Sequence, residues 1–358
     1  MATKTVVILG GTGSIGTQTV DVLRKLEEFK LIGFTYHRSR EQALSVKAEF
    51  PEAAMISTEK GFQELENFLR DSRPDIVVSA IPGFAGFLAT LISVKYTKRL
   101  ALANKESMVC GGRFLREEVE RYGVELVPVD SEHSAVFQVM EEGVEKIAIT
   151  ASGGALRDWA VEDLEKARPE DVLSHPVWRM GSRITVDSAT MVNKALEVLE
   201  AMELFSLRRD QIEVFIHRQG VVHGMVYLKD GTVKLHAAVA DMRLPIAFAL
   251  TYPERKYEFE VFPKFDVLTF ENPDKERYPL FFMVDEIFSS YKLRVAFNAA
   301  DEVAVSAFLK REIRFTDIAV VVERVLRNLE GPEPESVKDL IKVDEEARRI
   351  AWREIEKL

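Results

Sequence analysis

The chain has 358 residues, of which 47% are hydrophobic, so it can form two or three domains with sizeable cores. Its net charge of −10 argues against nucleic acid or an anionic membrane surface as a partner. Cys110 is the single cysteine, and no apolar run approaches the roughly 18 residues of a membrane span, so we expect a cytoplasmic protein.

The N-terminal part alternates short apolar runs with helical patterns. Strands are predicted at residues 5–9, 29–36, 54–56, 75–79, 99–103 and 125–129, with helices at 16–26 and 41–50. Such alternation predicts an α/β fold whose sheet is parallel and doubly wound, that is, Rossmann-like. We expect residues 1–129 to form a dinucleotide-binding domain.

The pattern changes after residue 129. Strand-like segments at 146–150, 213–216, 221–227 and 233–240 surround a helix predicted at about 189–205, which indicates a central α+β domain over 130–250. The proline-containing residues 251–278 suit a linker. Helices at 294–309, 317–329 (with Thr316 as N-cap) and 344–357 predict a C-terminal α-helical domain over 279–358.

A glycine-rich segment, G-G-T-G-S-I-G, joins the first strand to the first helix. Gly10 would permit the tight turn, Gly13 a close approach of the backbone to a pyrophosphate, and Gly16 close packing of helix on strand. The free N–H groups at the helix N-terminus would then bind phosphates. The segment therefore predicts a dinucleotide site, although a purely structural turn is the alternative.

The end of the second strand indicates which dinucleotide binds. NAD sites place Asp or Glu there for the ribose 2′-hydroxyl, whereas this chain has His37, Arg38 and Ser39. A guanidinium and a hydroxyl suit a 2′-phosphate. We therefore favour NADPH, with a solvated basic turn as the alternative.

Asp130 and Glu132 follow the sixth predicted strand. If the extended conformation continues, both carboxylates face the same side, where a hard divalent cation such as Mg²⁺ or Mn²⁺ would offset their repulsion. The long helix offers a third ligand, because Asn193 and Glu197 share one face of it. Asp187 or Ser188 would precede this helix and, with Asn193 and Lys194, form a phosphate cradle. A capping pair and ordinary surface polarity are the alternatives.

Two further segments carry polar residues beside glycines or prolines. Residues 150–155 (T-A-S-G-G-A) are similar to an anion-binding turn, and residues 174–181 (S-H-P-V-W-R-M-G) could form a lid that excludes water. His217, His236 and Cys110 are interpreted as structural residues.

Taken together, these motifs resemble one family along almost the whole chain, the 1-deoxy-D-xylulose 5-phosphate reductoisomerases. The resemblance also rests on A-N-K-E (103–106), D-M-R-x-P-I-A (241–247) and N-A-A-D-E-x-A (298–304). It implies NADPH- and metal-dependent rearrangement of 1-deoxy-D-xylulose 5-phosphate, by retro-aldol and aldol steps or an equivalent shift. Reduction would then give 2-C-methyl-D-erythritol 4-phosphate on the path to isoprenoids. It also implies a homodimer.

The resemblance implies roles for individual residues. The metal ligands would be Asp130, Glu132 and Glu197. Ser131 would contact the substrate hydroxyls, and its phosphate would be held by Ser152, Ser188, Asn193 and Lys194. The residues implied to contact the cofactor are Gly10, Thr12, Gly13, Ser14, Ile15, Gly16, His37, Arg38, Ser39, Asn104, Lys105, Glu106, Met180 and Gly181. The catalytic group would comprise Lys105, Glu132, His133, His175, Trp178 and His223, with His175 and Trp178 on a mobile loop over the substrate.

The sequence departs from the family pattern at four positions. Gly11 stands where serine is frequent, Ser39 and Ser134 where asparagine is common, and Ala151 where glycine is usual. These changes affect individual cofactor contacts more than the activity. The rival hypotheses are an NADP oxidoreductase acting without rearrangement, which would not need the three carboxylates, and a non-catalytic NADP-sensing protein.

Overall fold

The computed structural model describes residues 3–174, 176–178 and 180–358. The chain divides into two compact units, each built from discontinuous segments. Unit 1 holds the described residues of Met1–Ser107, Arg113–Phe137 and Asp241–Phe262, and unit 2 those of Met108–Gly112, Gln138–Ala240 and Pro263–Leu358. The limits expected from the sequence, at residues 129, 250 and 278, stay a prediction.

The sheet of unit 1 has six parallel strands in the order β3-β2-β1-β4-β5-β6. Its strands are β1 (Lys4–Leu9), β2 (Phe29–Tyr36), β3 (Ala54–Ser57), β4 (Ile76–Ser79), β5 (Arg99–Leu102) and β6 (Glu125–Pro128). The central strand β1 is apolar and fully buried from Val6 to Leu9, as expected for a parallel strand covered on both faces. The Rossmann-like prediction is confirmed.

The sheet of unit 2 has four strands in the order β10-β9-β7-β8, with one parallel pair and two antiparallel pairs. Its strands are β7 (Val144–Ala151), β8 (Ile212–Ile216), β9 (Val222–Leu228) and β10 (Val233–Ala237). The expected mixture of helices and a partly antiparallel sheet is therefore present.

The α-helices are numbered in chain order, and two short 3-10 helices (Val161–Lys166 and Arg209–Gln211) carry no number. The numbered helices are α1 (Ser14–Leu23), α2 (Arg40–Glu49), α3 (Gln63–Ser72), α4 (Gly83–Val94), α5 (Glu106–Tyr122), α6 (Ser131–Val139), α7 (Pro169–Val172), α8 (Ser182–Thr190), α9 (Val192–Phe205), α10 (Arg243–Thr251), α11 (Pro279–Phe282), α12 (Val284–Ile287), α13 (Tyr291–Leu309), α14 (Asp317–Asn328) and α15 (Val337–Ile355). The last three pack together as a helical layer within unit 2.

One predicted helix is in fact two. Met191 adopts a left-handed conformation (φ 58°), so the helix expected over 189–205 is interrupted between α8 and α9. A residue in this conformation cannot continue a right-handed helix. Asp187 and Ser188 consequently lie in the last turn of α8, and the prediction that one of them precedes the long helix is wrong.

Two smaller differences concern helix starts. Thr316 occupies the N-cap position of α14, but its side chain accepts no capping hydrogen bond. The last helix begins at Val337, earlier than the expected residue 344, after Ser336 accepts a hydrogen bond from the Asp339 amide. Among the helices described, none is both long and apolar enough to cross a membrane.

Candidate functional site

The glycine-rich segment is a tight turn between β1 and α1. Gly10 has φ +86°, and a Cβ on it would lie 2.8 Å from the Ala80 carbonyl oxygen. A Cβ on Gly16 would lie 2.2 Å from the Gly10 carbonyl oxygen, so helix and turn touch through their backbones. Gly13 is exposed, and the nearest atom to a Cβ there is 3.4 Å away. Gly10 and Gly16 therefore have the conformational roles that the sequence predicted, and the role of Gly13 beside a pyrophosphate stays a prediction.

The turn is fixed by hydrogen bonds to β2. Thr35 accepts from the Gly10 amide through its side chain (2.7 Å) and from the Gly11 amide through its carbonyl (2.8 Å). In the first turn of α1, the amides of Ser14, Ile15 and Gly16 have no carbonyl partner within the helix, because no turn precedes them. These N–H groups are available to an anion at a positive helix end.

The unusual Gly11 has a structural reason. A Cβ on Gly11 would lie 2.9 Å from Cδ2 of Phe34, a fully buried side chain on β2. The serine that is frequent in the family would therefore clash with this ring.

The basic turn that follows β2 is open to solvent. His37, Arg38 and Ser39 are all exposed, and His37 Nδ1 lies 3.3 Å from Thr58 Oγ1. In a parallel sheet the carboxyl ends of neighbouring strands share one edge, so this turn lies on the same edge as the glycine-rich turn after β1. The strand order changes direction between β1 and β4, the switch point at which such sheets bind dinucleotides.

Asn104, Lys105 and Glu106 follow β5 at that same edge and are buried. Glu106 accepts a hydrogen bond from the Gly83 amide (2.9 Å), and Asn104 Nδ2 donates to Glu106 (2.6 Å) and to the Gly83 carbonyl (3.2 Å). These bonds tie the start of α4 to the start of α5. Lys105 instead extends to Asp130, with its Nζ 2.9 Å from Asp130 Oδ2.

The extended conformation does not continue through Asp130 and Glu132, in contrast to the expectation from the sequence. β6 ends at Pro128 and α6 begins at Ser131, so the two carboxylates flank a helix start. Asp130 Oδ1 lies 2.9 Å from His133 Nδ1 and accepts from the Glu132 amide at 3.2 Å. Ser131 Oγ donates to Glu132 Oε2 (2.9 Å). Both acids are at least nine-tenths buried, so they form a compact anionic site bordered by one ammonium and one imidazole.

The serine-glycine turn lies in unit 2. Gly153 and Gly154 both have positive φ (83° and 72°), and a Cβ on Gly154 would lie 2.5 Å from Ala189 Cα and 2.7 Å from the Ser188 carbonyl oxygen. The turn therefore packs directly on the end of α8. It brings the Ser152 segment next to Ser188, as the phosphate cradle requires.

The first turn of α9 carries the other cradle residues. Asn193 Nδ2 donates to Glu197 Oε1, and Lys194 Nζ forms an ion pair with Glu197 Oε2. Glu197 is fully buried and Lys194 nearly so. A buried carboxylate is stable only when cations or donors surround it, and here an ammonium and an amide do so.

The lid predicted over residues 174–181 is only partly described. His175 lies outside the described residues, whereas Trp178 packs against His223 of β9 with ring centroids 5.8 Å apart. His223 is buried, and its Nε2 lies 3.2 Å from the Ala238 carbonyl oxygen. Met180 is half-buried, and Gly181 caps α8 with open space around it.

Two residues that support the cradle were not expected from the sequence. Tyr278 donates to the Gly153 carbonyl (2.9 Å), and burial raises the pKa of Tyr278 to about 12, so it remains a donor at neutral pH. Arg157 donates to the Ser152 carbonyl (2.8 Å). Tyr278 is 125 positions from Gly153 along the chain, and no local pattern links them.

The contacts of His217 agree with the prediction that this histidine has a structural role. Its ring is buried, stacks on Phe270 and lies 2.8 Å from the Thr269 carbonyl oxygen through Nδ1. Burial lowers the pKa of His217, which favours the neutral ring. Cys110 is also fully buried.

A Rossmann-like sheet with a glycine-rich turn, buried carboxylates at the same edge and a separate polar cradle defines a dinucleotide-dependent oxidoreductase. Residues 126–205 match the 1-deoxy-D-xylulose 5-phosphate reductoisomerase C-terminal domain, and residues 238–350 match the DXP reductoisomerase C-terminal domain. Residues 6–74 and 60–112 match the 1-deoxy-D-xylulose 5-phosphate reductoisomerase family. The chain belongs to the 1-deoxy-D-xylulose 5-phosphate reductoisomerase family.

Relatives and solved structures agree with this assignment. The 1-deoxy-D-xylulose 5-phosphate reductoisomerase of Thermotoga maritima is 52% identical over 99% of this chain and 97% of its own length. That of Pelodictyon phaeoclathratiforme is 40% identical, over 97% and 98%.

The structural likeness extends over the same length. A crystal structure of DOX-P reductoisomerase in complex with NADPH, fosmidomycin and magnesium matches with a TM-score of 0.92 at 31% identity, covering 99% of this chain and 98% of that chain. The enzyme from Zymomonas mobilis in complex with NADPH matches with a TM-score of 0.85 at 34% identity, over 99% and 100%.

Proposed function

We propose that this chain converts 1-deoxy-D-xylulose 5-phosphate to 2-C-methyl-D-erythritol 4-phosphate with NADPH and a divalent cation, and so supplies isoprenoid precursors. It is an NADP-dependent oxidoreductase that acts on a sugar phosphate. One observation carries the proposal, the full-length match to a structure described as a complex with NADPH, fosmidomycin and magnesium. The buried carboxylates, the phosphate cradle and the glycine-rich turn of this chain suit the same chemistry.

NADPH supplies a hydride when it is bound. The pyrophosphate would lie against the first turn of α1, where the open face of Gly13 allows the backbone to approach it. Arg38 would pair with the 2′-phosphate, assisted by His37 and Ser39. The other residues proposed to contact NADPH are Gly10, Thr12, Ser14, Ile15, Gly16, Asn104, Lys105, Glu106, Met180 and Gly181.

The metal ligands are proposed to be Asp130 and Glu132 of unit 1 and Glu197 of unit 2. All three are buried acids, and carboxylate oxygens are the donors that Mg²⁺ and Mn²⁺ prefer. The cation would supply Lewis-acid stabilisation of negative charge on the substrate oxygens. The Lys105 and His133 contacts hold the Asp130 carboxylate in one orientation.

The substrate phosphate would be bound by Ser152, Ser188, Asn193 and Lys194. Ser131 and Glu132 would contact the substrate hydroxyls, and Lys105, His133, His175, Trp178 and His223 complete the proposed catalytic group. Trp178 packs on His223, and this contact would help to exclude water from the reacting groups. Phosphate binding away from the reacting carbons would help to close that loop.

An absorbance assay tests the proposed function. NADPH absorbance is expected to fall only when 1-deoxy-D-xylulose 5-phosphate and Mg²⁺ or Mn²⁺ are both present, and a chelator is expected to stop the reaction. Consumption that persists after chelation would favour an oxidoreductase that acts without rearrangement. NADPH binding without any consumption would favour a sensing protein, and either result would refute the proposal.

The chain is also proposed to act as a homodimer. In unit 2, Val233 and Leu235 of the edge strand β10 are 47% and 45% exposed. Apolar side chains exposed at a sheet edge are typical of an interface. Light scattering is expected to give twice the 40.6 kDa chain mass, and Leu235→Glu is expected to shift that mass toward the monomer. A monomer at micromolar concentration would refute the dimer.

A further inference from the structure

The N-A-A-D-E segment, residues 298–302, lies in the middle of α13, and the proposed function gives it no role. Asn298 and Asp301 are fully buried. Glu302, beside them on the helix, is partly buried. Polar side chains in such surroundings are costly to desolvate unless they have partners. Their partners lie in α8 and α15.

Arg183, in the first turn of α8, contacts all three of these side chains. Its Nη2 donates to Asn298 Oδ1 (3.0 Å) and lies 3.6 Å from Asp301 Oδ2, while its Nη1 lies 3.1 Å from Glu302 Oε1. A guanidinium presents several donors in one plane, which is the geometry needed to bridge neighbouring acceptors. One side chain therefore fastens the start of α8 to α13.

Glu302 is held from its other side by α15. Arg348 Nη2 lies 2.7 Å from Glu302 Oε2, and Asn298 Nδ2 donates to Glu302 Oε1 (3.0 Å). Burial alone would raise the pKa of Glu302, but the Arg183 and Arg348 guanidiniums bring it below its ordinary value. Glu302 is consequently an ionised anchor shared by α8 and α15.

Asp301, next to Glu302 on α13, has a pKa shifted in the opposite direction. Its burial, and next the neighbouring Asp187 carboxylate, raise the pKa of Asp301 well above its ordinary value. Two acids in a buried environment share one proton more easily than they ionise together. Glu302 is thus the closer partner of Arg183 on α13, at 3.1 Å against 3.6 Å for Asp301.

We propose that Arg183 and Glu302 are positioning residues that hold α8 in place, so that Ser188 meets the substrate phosphate. This inference rests on the proposed function, since Ser188 needs no such placement unless the chain takes a sugar phosphate. Arg183 and Ser188 lie on one helix, about 7.5 Å apart along its axis. The other end of α8 lies against Gly154, on which a Cβ would lie 2.5 Å from Ala189 Cα, so the Arg183–Glu302 pair holds the opposite end of the helix.

Steady-state kinetics of Arg183→Gln and Glu302→Gln test the inference. Each is expected to raise the KM for 1-deoxy-D-xylulose 5-phosphate about tenfold, while kcat and the KM for NADPH stay within about twofold. Because both act through one pair, the double variant is expected to resemble the single variants instead of multiplying their effects. Multiplicative effects would show that the two residues act separately and would overturn the proposal.

Three further variants separate positioning from general damage. Arg183→Lys keeps the charge and is expected to bring the KM part of the way back to the wild-type value. Asp301→Asn is expected to stay near wild type because Asp301 Oδ2 lies 3.6 Å from Arg183, beyond hydrogen-bond distance, whereas Glu302 Oε1 lies 3.1 Å away. Glu346→Gln, which removes an exposed ion pair with Arg349 on α15, serves as the matched control. Unchanged KM values in both Gln variants would refute the inference, as would a KM for Asp301→Asn as high as that of Glu302→Gln. A wild-type chain without activity would instead refute the proposed function.

Discussion

Glu197→Gln is expected to lower turnover about a thousandfold or more while leaving NADPH affinity within about twofold. Glutamine keeps the size of the side chain and an oxygen that can accept from Asn193, but it removes the charge that a divalent cation needs. NADPH affinity is expected to persist because Glu197 is not among the residues proposed to contact the cofactor. Turnover follows from NADPH absorbance, and cofactor affinity from NADPH fluorescence.

The loss of the Lys194–Glu197 ion pair is a separate effect that must be controlled. Lys194 is buried, so weakening its ion pair with Glu197 is expected to destabilise α9. Glu197→Asp retains the charge on a shorter side chain. Its turnover is expected to lie between those of the wild type and Glu197→Gln, and to increase at higher Mg²⁺ concentration. Wild-type turnover in Glu197→Gln would show that Glu197 is not a metal ligand.

Gly16→Ala is expected to abolish measurable NADPH binding and to lower the melting temperature. The added Cβ would lie 2.2 Å from the Gly10 carbonyl oxygen and 2.7 Å from Gly11 Cα, so backbone would have to move. That movement would separate the turn from the first turn of α1, whose amides are proposed to bind the pyrophosphate. Fluorescence titration with NADPH and a thermal melt measure the two effects.

Gly13→Ala is the matched variant. A Cβ there has room, because its nearest neighbour is 3.4 Å away, so the melting temperature is expected to stay close to wild type. NADPH affinity is nevertheless expected to fall at least about tenfold, because the pyrophosphate approaches that face. Wild-type affinity in Gly13→Ala would place the cofactor elsewhere on the turn.

The Rossmann-like sheet could be predicted because its strands are short, nearly continuous apolar runs. A strand buried on both faces, such as β1, needs such a run, and the polar turn after it marks its end. The expected strands of this sheet therefore agree with the observed ones to within two residues at either end. The glycine-rich turn could also be predicted, because glycine is required where a Cβ would meet backbone.

The conformations near the carboxylates were less predictable. Residues 187–197 have strong helical periodicity, and nothing in the sequence marks Met191 as a break, since methionine is a good helix former. Both α8 and α9 bury several side chains. We therefore attribute the break at Met191 to tertiary packing, which a local sequence pattern does not record. Likewise, the strand before Asp130 gave no sign that a helix begins at Ser131.

The supporting residues were beyond the reach of sequence patterns. Arg183 meets Glu302 from 119 positions away, and Tyr278 meets Gly153 from 125 positions away. Local periodicity carries no information about such pairs. Only the resemblance to the family singled out the N-A-A-D-E segment, and it gave no reason for those residues.

The contact between Gly11 and Phe34 couples the side-chain sizes that are allowed at two positions far apart in the sequence. Phe34 fills the space that any side chain at position 11 would need, so each residue sets the size allowed to the other. A serine-containing turn grafted from a relative would therefore require Phe34 to shift or to be replaced in the same step, because a Cβ at position 11 would lie 2.9 Å from Cδ2 and 3.0 Å from Cβ of Phe34. A substitution at either position is thus expected to be tolerated only together with a change at the other.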